Sequence, residues 1–139
     1  MSQIEAVSAV LYDEEGKVFM AKRPKGKVLA DKWEFPGGKI EPNESLEDCL
    51  HREIAEELDI KIIPRQYIGK QSYMYDHGLV TLHLFACKLD LNQKPKLIEH
   101  QEARWVHLSQ VLKLDVPEIV HPFMDDIQAT LLRLGLPIH

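Results

Sequence analysis

The sequence predicts an α/β fold of the layered α+β kind, with helices lying against a mixed β-sheet. Three observations carry this. The order of local patterns along the chain is strands, helix, strands, helix. Two segments repeat apolar residues with helical spacing and end at residues that stop helices. The 139 residues are 45% apolar, enough for one core and the size of one domain, taken as residues 1–139.

Residues 4–12 are rich in Ile, Val, Leu and Tyr and read as a strand. Asp13-Glu-Glu-Gly16 is a turn signal, and a strand resumes over Val18–Lys22, so these two segments are expected to form a hairpin. Residues 24–32 form a basic loop containing Pro24 and Gly26. Trp33-Glu-Phe35 is a short apolar segment stopped by Pro36-Gly37-Gly38. Ser45 is an expected N-cap, with Asp48 three residues on as a short form of the capping box. Leu46, Leu50, Ile54 and Leu58 then recur every four residues, a buried stripe on a helix ending near Leu58. Strands fit Lys61–Tyr73, bent at Pro64, and Leu79–Leu89. Asn92–Pro95 is a loop, Glu102–His107 holds a last short strand, and Leu108–Leu112 reads as a helical turn. Pro122–Leu134 is amphipathic, with Phe123, Ile127, Leu131 and Leu134 on one side, and Gly135 and Pro137 stop it.

Composition removes several function classes. A net charge of −5 argues against a broad nucleic-acid footprint, yet admits a small phosphorylated ligand if metal ions bring the positive charge. Cys49 and Cys87 lack metal-ligand spacing and read as reduced core thiols, which suits the cytoplasm. The start, Met-Ser-Gln-Ile-Glu, has neither the basic residues nor the apolar run of a leader, and no apolar stretch approaches the roughly 18 residues of a membrane span. The seven histidines, among them His51, His77, His83 and His100, show no zinc-helix pair and read as solvent or structural residues. No Ser-His-Asp arrangement can be argued.

The most informative stretch is Glu41–Asp59, where eight of nineteen residues are acidic and only Arg52 opposes them. Carboxylates three or four residues apart on a helix repel, so this density points to a use for the charge. On a wheel at about 100° per residue, Glu56, Glu53 and Glu57 fall at roughly 280°, 340° and 20° from Leu46. Three carboxylates thus share one edge, and Glu57 intrudes between Leu46 and Leu50. Arg52 lies one turn before Glu56 and can pair with it. Carboxylate oxygens are hard ligands suited to Mg²⁺ or Mn²⁺, and Mg²⁺ commonly completes its shell with substrate phosphate. Gly37-Gly38, just ahead, allows backbone to approach a metal or phosphate closely. A charged surface helix after a glycine turn is the plainer alternative.

The full spacing, Gly38, five residues, Glu44, seven residues, Arg52-Glu53-Ile54, one residue, Glu56-Glu57, resembles the signature of the Nudix hydrolases. One position departs: Asp59 stands where that family has Gly, and Asp tolerates the left-handed turn expected there. Trp33-Glu-Phe-Pro-Gly-Gly-Lys39, Arg23 after the second strand and Glu99-His-Gln-Glu-Ala-Arg-Trp105 resemble the MutT-type branch, the nucleoside triphosphate pyrophosphohydrolases. The likeness covers about the first three quarters of the chain.

The resemblance implies an α/β/α sandwich and water attack at phosphorus on a nucleoside diphosphate linked to a group X. A (deoxy)nucleoside triphosphate would give the monophosphate and pyrophosphate, as in sanitising a nucleotide pool. It implies Glu53 and Glu57 as main metal ligands, with Glu56, the Gly37 carbonyl and Glu99 completing the set. Glu99 is also the candidate general base, with Glu102 the alternative. Arg52 orients Glu56 and Glu44 braces the loop. Arg23 and Lys39 meet phosphate, and Glu34 and Phe35 join them in binding substrate. Phe35, Tyr73 and Tyr75 are the rings available to stack on a base. MutT-like enzymes that cleanse oxidised guanine nucleotides read the purine with an Asn at the start of the last helix. Val120 stands there, which argues against a dedicated oxidised-guanine reader and leaves pyrimidine or broader specificity open. The expected partners are a nucleotide and Mg²⁺ or Mn²⁺, with no polymeric nucleic acid or membrane, in a monomer or homodimer. The alternatives are a non-catalytic nucleotide sensor, which would ordinarily lose these carboxylates, and a calcium-binding module, for which EF-hand spacing is missing.

Overall fold

The first strand, β1 (Gln3–Leu11), is buried on both faces over its second half, and this decides the layering. The computed structural model describes residues 2–90 and 92–139, so Met1, part of the stretch read for a leader, lies outside it. Alternate side chains of β1 enter different cores. Val7, Ala9 and Leu11 pack with Leu50, Ile54 and Leu58 of helix α1 (Leu46–Leu58). Val10 packs with Ile127 and Leu131 of helix α2 (Met124–Arg133). The sheet therefore stands between two helical layers, as the fold-class expectation has it.

β1 is the hub of a four-stranded mixed sheet in the order β4-β1-β6-β5. It runs parallel to β6 (Gly78–Leu89) and antiparallel to β4 (Gly37–Lys39), while β5 (Ile62–Tyr75) pairs antiparallel with β6. The register of β5 shifts between Pro64 and Gln66 and again between Tyr67 and Gly69, close to the bend expected at Pro64. A second sheet has the order β3-β2-β7, from β3 (Trp33–Glu34), β2 (Val18–Lys22) and β7 (Glu102–Val106).

Three local expectations are corrected. The hairpin of residues 4–12 with 18–22 does not form a strand pair: a single bridge joins Tyr12 and Val18, and the strands then part into different sheets. Both edges of β1 are taken by β4 and β6, so β2 finds its partners elsewhere. Gly37-Gly38 is part of a strand rather than a stop. A Cβ on Gly37 would overlap the Val7 carbonyl, so only glycine lets β4 lie this close to β1. The last helix begins at Met124 rather than Pro122, because residues 118–123 form a 3₁₀ helix with three-residue hydrogen bonds, Met124 N–H donating to His121. Residues 108–113 form another 3₁₀ helix, at the expected helical turn. Cys49 and Cys87 are free and buried. No helix among the described residues is long and apolar enough to cross a membrane.

Candidate active site

Helix α1 carries the acidic edge, and its two ends are secured by different chemistry. Ser45 caps the start, its Oγ accepting from Asp48 N–H at 3.1 Å. At the other end Asp59 turns left-handed (φ 52°, ψ 45°) and its N–H donates to the Ala55 carbonyl. The last carbonyls of the helix are taken up by a distant loop. Lys96 N–H donates to Leu58 O at 2.8 Å and Ile98 N–H to Glu57 O at 3.2 Å. These bonds hold Glu99 against the helix, and Glu99 lines the same cleft as Glu53 and Glu57.

Glu57 is only 4% exposed, a carboxylate set into the apolar stripe as its wheel position requires. Among the described residues its Oε2 has no hydrogen-bond partner. Burial, then the charges of Glu34, Glu53 and Glu99, push its pKa up to about 9. Burial also raises the pKa of Glu53, against the pull of Arg52. Gly38 makes room for Glu53, since a Cβ there would overlap its carboxylate.

Arg52 is the clamp of the site. Its Nε and Nη2 grip Glu44 at 2.7 and 2.9 Å, its Nη1 reaches Glu53 at 2.7 Å, and Nη2 also donates to the Lys39 carbonyl at 3.2 Å. The grip of Arg52 and the Glu41 N–H lower the Glu44 pKa to about 2. The contacts with Glu56 and Glu41 are longer, 3.4 and 3.7 Å, and the Glu56 side chain is 56% exposed. Arg52 thus orients Glu53 and the glycine loop more closely than it orients Glu56.

A second group closes the cleft from the other sheet. Arg23 Nη1 donates to Glu34 Oε1 at 2.9 Å, and its Nε donates to the Val28 carbonyl. His100 Nε2 lies 2.9 Å from Glu34 Oε2 and 3.6 Å from Glu57 Oε1. His100 is 6% exposed, and one donor atom from each of Glu34, Glu57 and His100 falls within 4.8 Å of the others. By sequence His100 reads only as a solvent or structural residue, and the structure sets it beside the acidic edge. Its position directly after Glu99 is the one signal for this in the sequence.

The anionic cleft is lined by Arg23, Lys39, Gly37, Glu53, Glu57 and Glu99 among others. It adjoins a largely apolar pocket of about 150 Å³, and Arg23, Glu34, Gly37, Gly38 and Lys39 line both. Phe35 and Val120 are buried and also line the pocket, as does Tyr75. The Tyr73 ring, which does not line the pocket, is tilted 47° to that of Tyr75 with 4.6 Å between centroids. Glu102 pairs with Arg104 at 2.9 Å and is not among the residues lining the cleft, whereas Glu99 is.

A family model described as NUDIX domain matches residues 3–127. The chain belongs to the Nudix family. It is a Nudix hydrolase and therefore an enzyme. The CTP pyrophosphohydrolase of Escherichia coli K12 is 31% identical over 137 residues, 99% of this chain and 98% of that protein. An 8-oxo-dGTP diphosphatase of Buchnera aphidicola (subsp. Schizaphis graminum) is 39% identical over 117 residues, 83% of this chain and 86% of that protein. The NAD-capped RNA hydrolase NudC of Pseudomonas syringae pv. tomato is 30% identical over 73% of this chain, which spans only 36% of that longer protein. Among solved structures, the MutT protein of Methanosarcina mazei Go1 superposes with a TM-score of 0.82 at 28% identity, over 92% of this chain and 94% of that one. The Nudix fold places the acidic helix, the glycine strand and the Glu99 loop around one cleft.

Proposed function

We propose that this Nudix hydrolase is a divalent-metal-dependent nucleoside triphosphate pyrophosphohydrolase that releases the monophosphate and pyrophosphate, with pyrimidine nucleotides preferred. The observation that carries the reading is the meeting of Glu53, Glu57 and Glu99 in one cleft that opens directly onto a base-sized apolar pocket. The residues fit a divalent ion on three counts. Glu57 has a buried oxygen without a partner, neighbouring carboxylates crowd it, and glycine at 38 leaves space at Glu53. Glu53 and Glu57 would be the main ligands, with Glu56, Glu99 and the Gly37 carbonyl completing the set and Mg²⁺ or Mn²⁺ the ion. Bound there, the ion neutralises the polyphosphate and lowers the pKa of a bound water.

The protein side of the chemistry is positioning and electrostatics. Water forms the new P–O bond, the bridging P–O bond breaks and pyrophosphate leaves, and we assign Glu99, which lines the cleft, as the acceptor of the water proton. Arg52 holds Glu53 in its rotamer. Arg23 and Lys39 bring positive charge to the junction of cleft and pocket, where the phosphates leave the base. Val120 in the pocket wall offers no side-chain hydrogen bond to a guanine edge, and the CTP-hydrolysing relative covers nearly the whole chain. We take the chain as a single domain acting on small nucleotides as a monomer or homodimer, with two free thiols suited to a reducing cytoplasm.

The test is pyrophosphate release from CTP, dCTP, UTP, dTTP, dGTP, 8-oxo-dGTP and ATP with Mg²⁺, Mn²⁺ or a chelator. We expect metal-dependent release that is fastest with a pyrimidine. Binding of nucleotides without release from any of them would return the chain to the sensor reading. Fastest release from 8-oxo-dGTP would overturn the pyrimidine preference alone.

A further inference from the structure

The reaction chemistry does not account for how the apolar pocket would select a base. Much of its wall is aliphatic, with Ala6, Val80, Leu82, Ile119 and Val120. Such a wall can hold a flat heterocycle but neither donates nor accepts a hydrogen bond, so it cannot tell one base edge from another. The turn between β5 and β6 brings two rings. Tyr75 and His77 both line the pocket, their planes 16° apart and their centroids 5.3 Å apart. The Tyr75 ring is held in place because its hydroxyl accepts the Ile119 N–H at 3.1 Å, which joins the hairpin to the 3₁₀ helix of residues 118–123. The half-buried His77 ring adds its two ring nitrogens on the side of the pocket formed by the hairpin.

We infer that His77 is a specificity-determining residue, extending the Tyr75 wall and offering the base edge a hydrogen bond that the aliphatic wall cannot. The inference rests on the proposed nucleotide reading and adds which side chain selects the base. One hydrogen bond of this kind corresponds to a roughly three- to tenfold preference between bases.

The test uses the four nucleoside monophosphates CMP, UMP, AMP and GMP, whose binding does not depend on turnover. Their dissociation constants are measured by calorimetry with Mg²⁺ for the intact protein, His77→Phe and His77→Ala. His77→Phe keeps a ring beside Tyr75. It is expected to hold the best-bound monophosphate within about threefold of the parent, while the ratio between best and worst shrinks roughly three- to tenfold. His77→Ala is expected to weaken all four and shrink the ratio as well. An unchanged ratio in both variants would reduce His77 to a wall and overturn the inference, as would equal binding of all four by the parent protein. Pyrophosphate release by the parent is run alongside. Its failure removes the proposed reaction, while the monophosphate ratios still decide the role of His77.

Discussion

Glu57 occupies a place where the stripe of α1 would ordinarily take an apolar residue, and its surroundings disfavour the charged form. Burial and three neighbouring carboxylates favour its protonated form up to about pH 9, against the ordinary 4.5. The native protein thus holds a proton that the unfolded chain has released, and in the metal-free protein stability falls as pH rises from about 4.5 to about 9. Glu57→Gln imitates the protonated acid. It should lower turnover by roughly 10²-fold or more, since it removes the anionic ligand proposed here, yet flatten that fall in stability. Thermal unfolding in chelator across this pH range, beside a turnover assay at saturating Mg²⁺, checks both halves. Normal turnover would remove Glu57 from the site, and an unchanged pH profile would show that its burial is not felt.

At the scale of elements, the two ends of α1 show how a departure from a family pattern is accommodated. Asp59 holds the left-handed conformation in which glycine is free of strain, and its carboxylate reaches Lys96 Nζ at 3.0 Å. That pair is exposed and contributes little. The backbone strain of carrying any side chain at this position outweighs it, although Asp is strained less than most residues. Asp59→Gly is expected to be neutral or stabilising, and Asp59→Ala to be less stable than Asp59→Gly by about 1 kcal/mol. Urea midpoints of the three proteins measure this, and equal midpoints for the Gly and Ala variants would contradict it. The strand β4 follows a related logic, because Gly37 and Gly38 are there for what their missing side chains allow, contact with β1 and room for Glu53.

Across the whole molecule, two sheets and two helical layers bring together residues far apart in the chain. Glu34 from the small sheet meets His100, and His100 meets Glu57 of α1. An acidic cluster with a buried carboxylate oxygen left unpartnered should make stability depend on an ion that binds it. We expect Mg²⁺ or Mn²⁺ to raise the unfolding temperature in a concentration-dependent way, and EDTA to reverse it. Glu53→Gln should lose most of that response. A thermal shift equal in both proteins would place the ion elsewhere.

The reaction class and the layers are legible in the residue order alone. The spacing from Gly38 to Ile60 named the family, the four-residue stripe set α1, and the helical wheel put Glu57 at its buried edge. Those features are local, and local geometry follows from helical periodicity. Tertiary structure alone decided which strands pair, since the apparent hairpin of residues 4–12 with 18–22 separates once β4 and β6 occupy both edges of β1. It alone brought His100 against Glu34 and His77 onto Tyr75, because the direction in which a side chain meets its neighbours is set by packing and turn geometry. The acidic run stated a need for positive charge, and the fold supplied the cleft in which that need can be met.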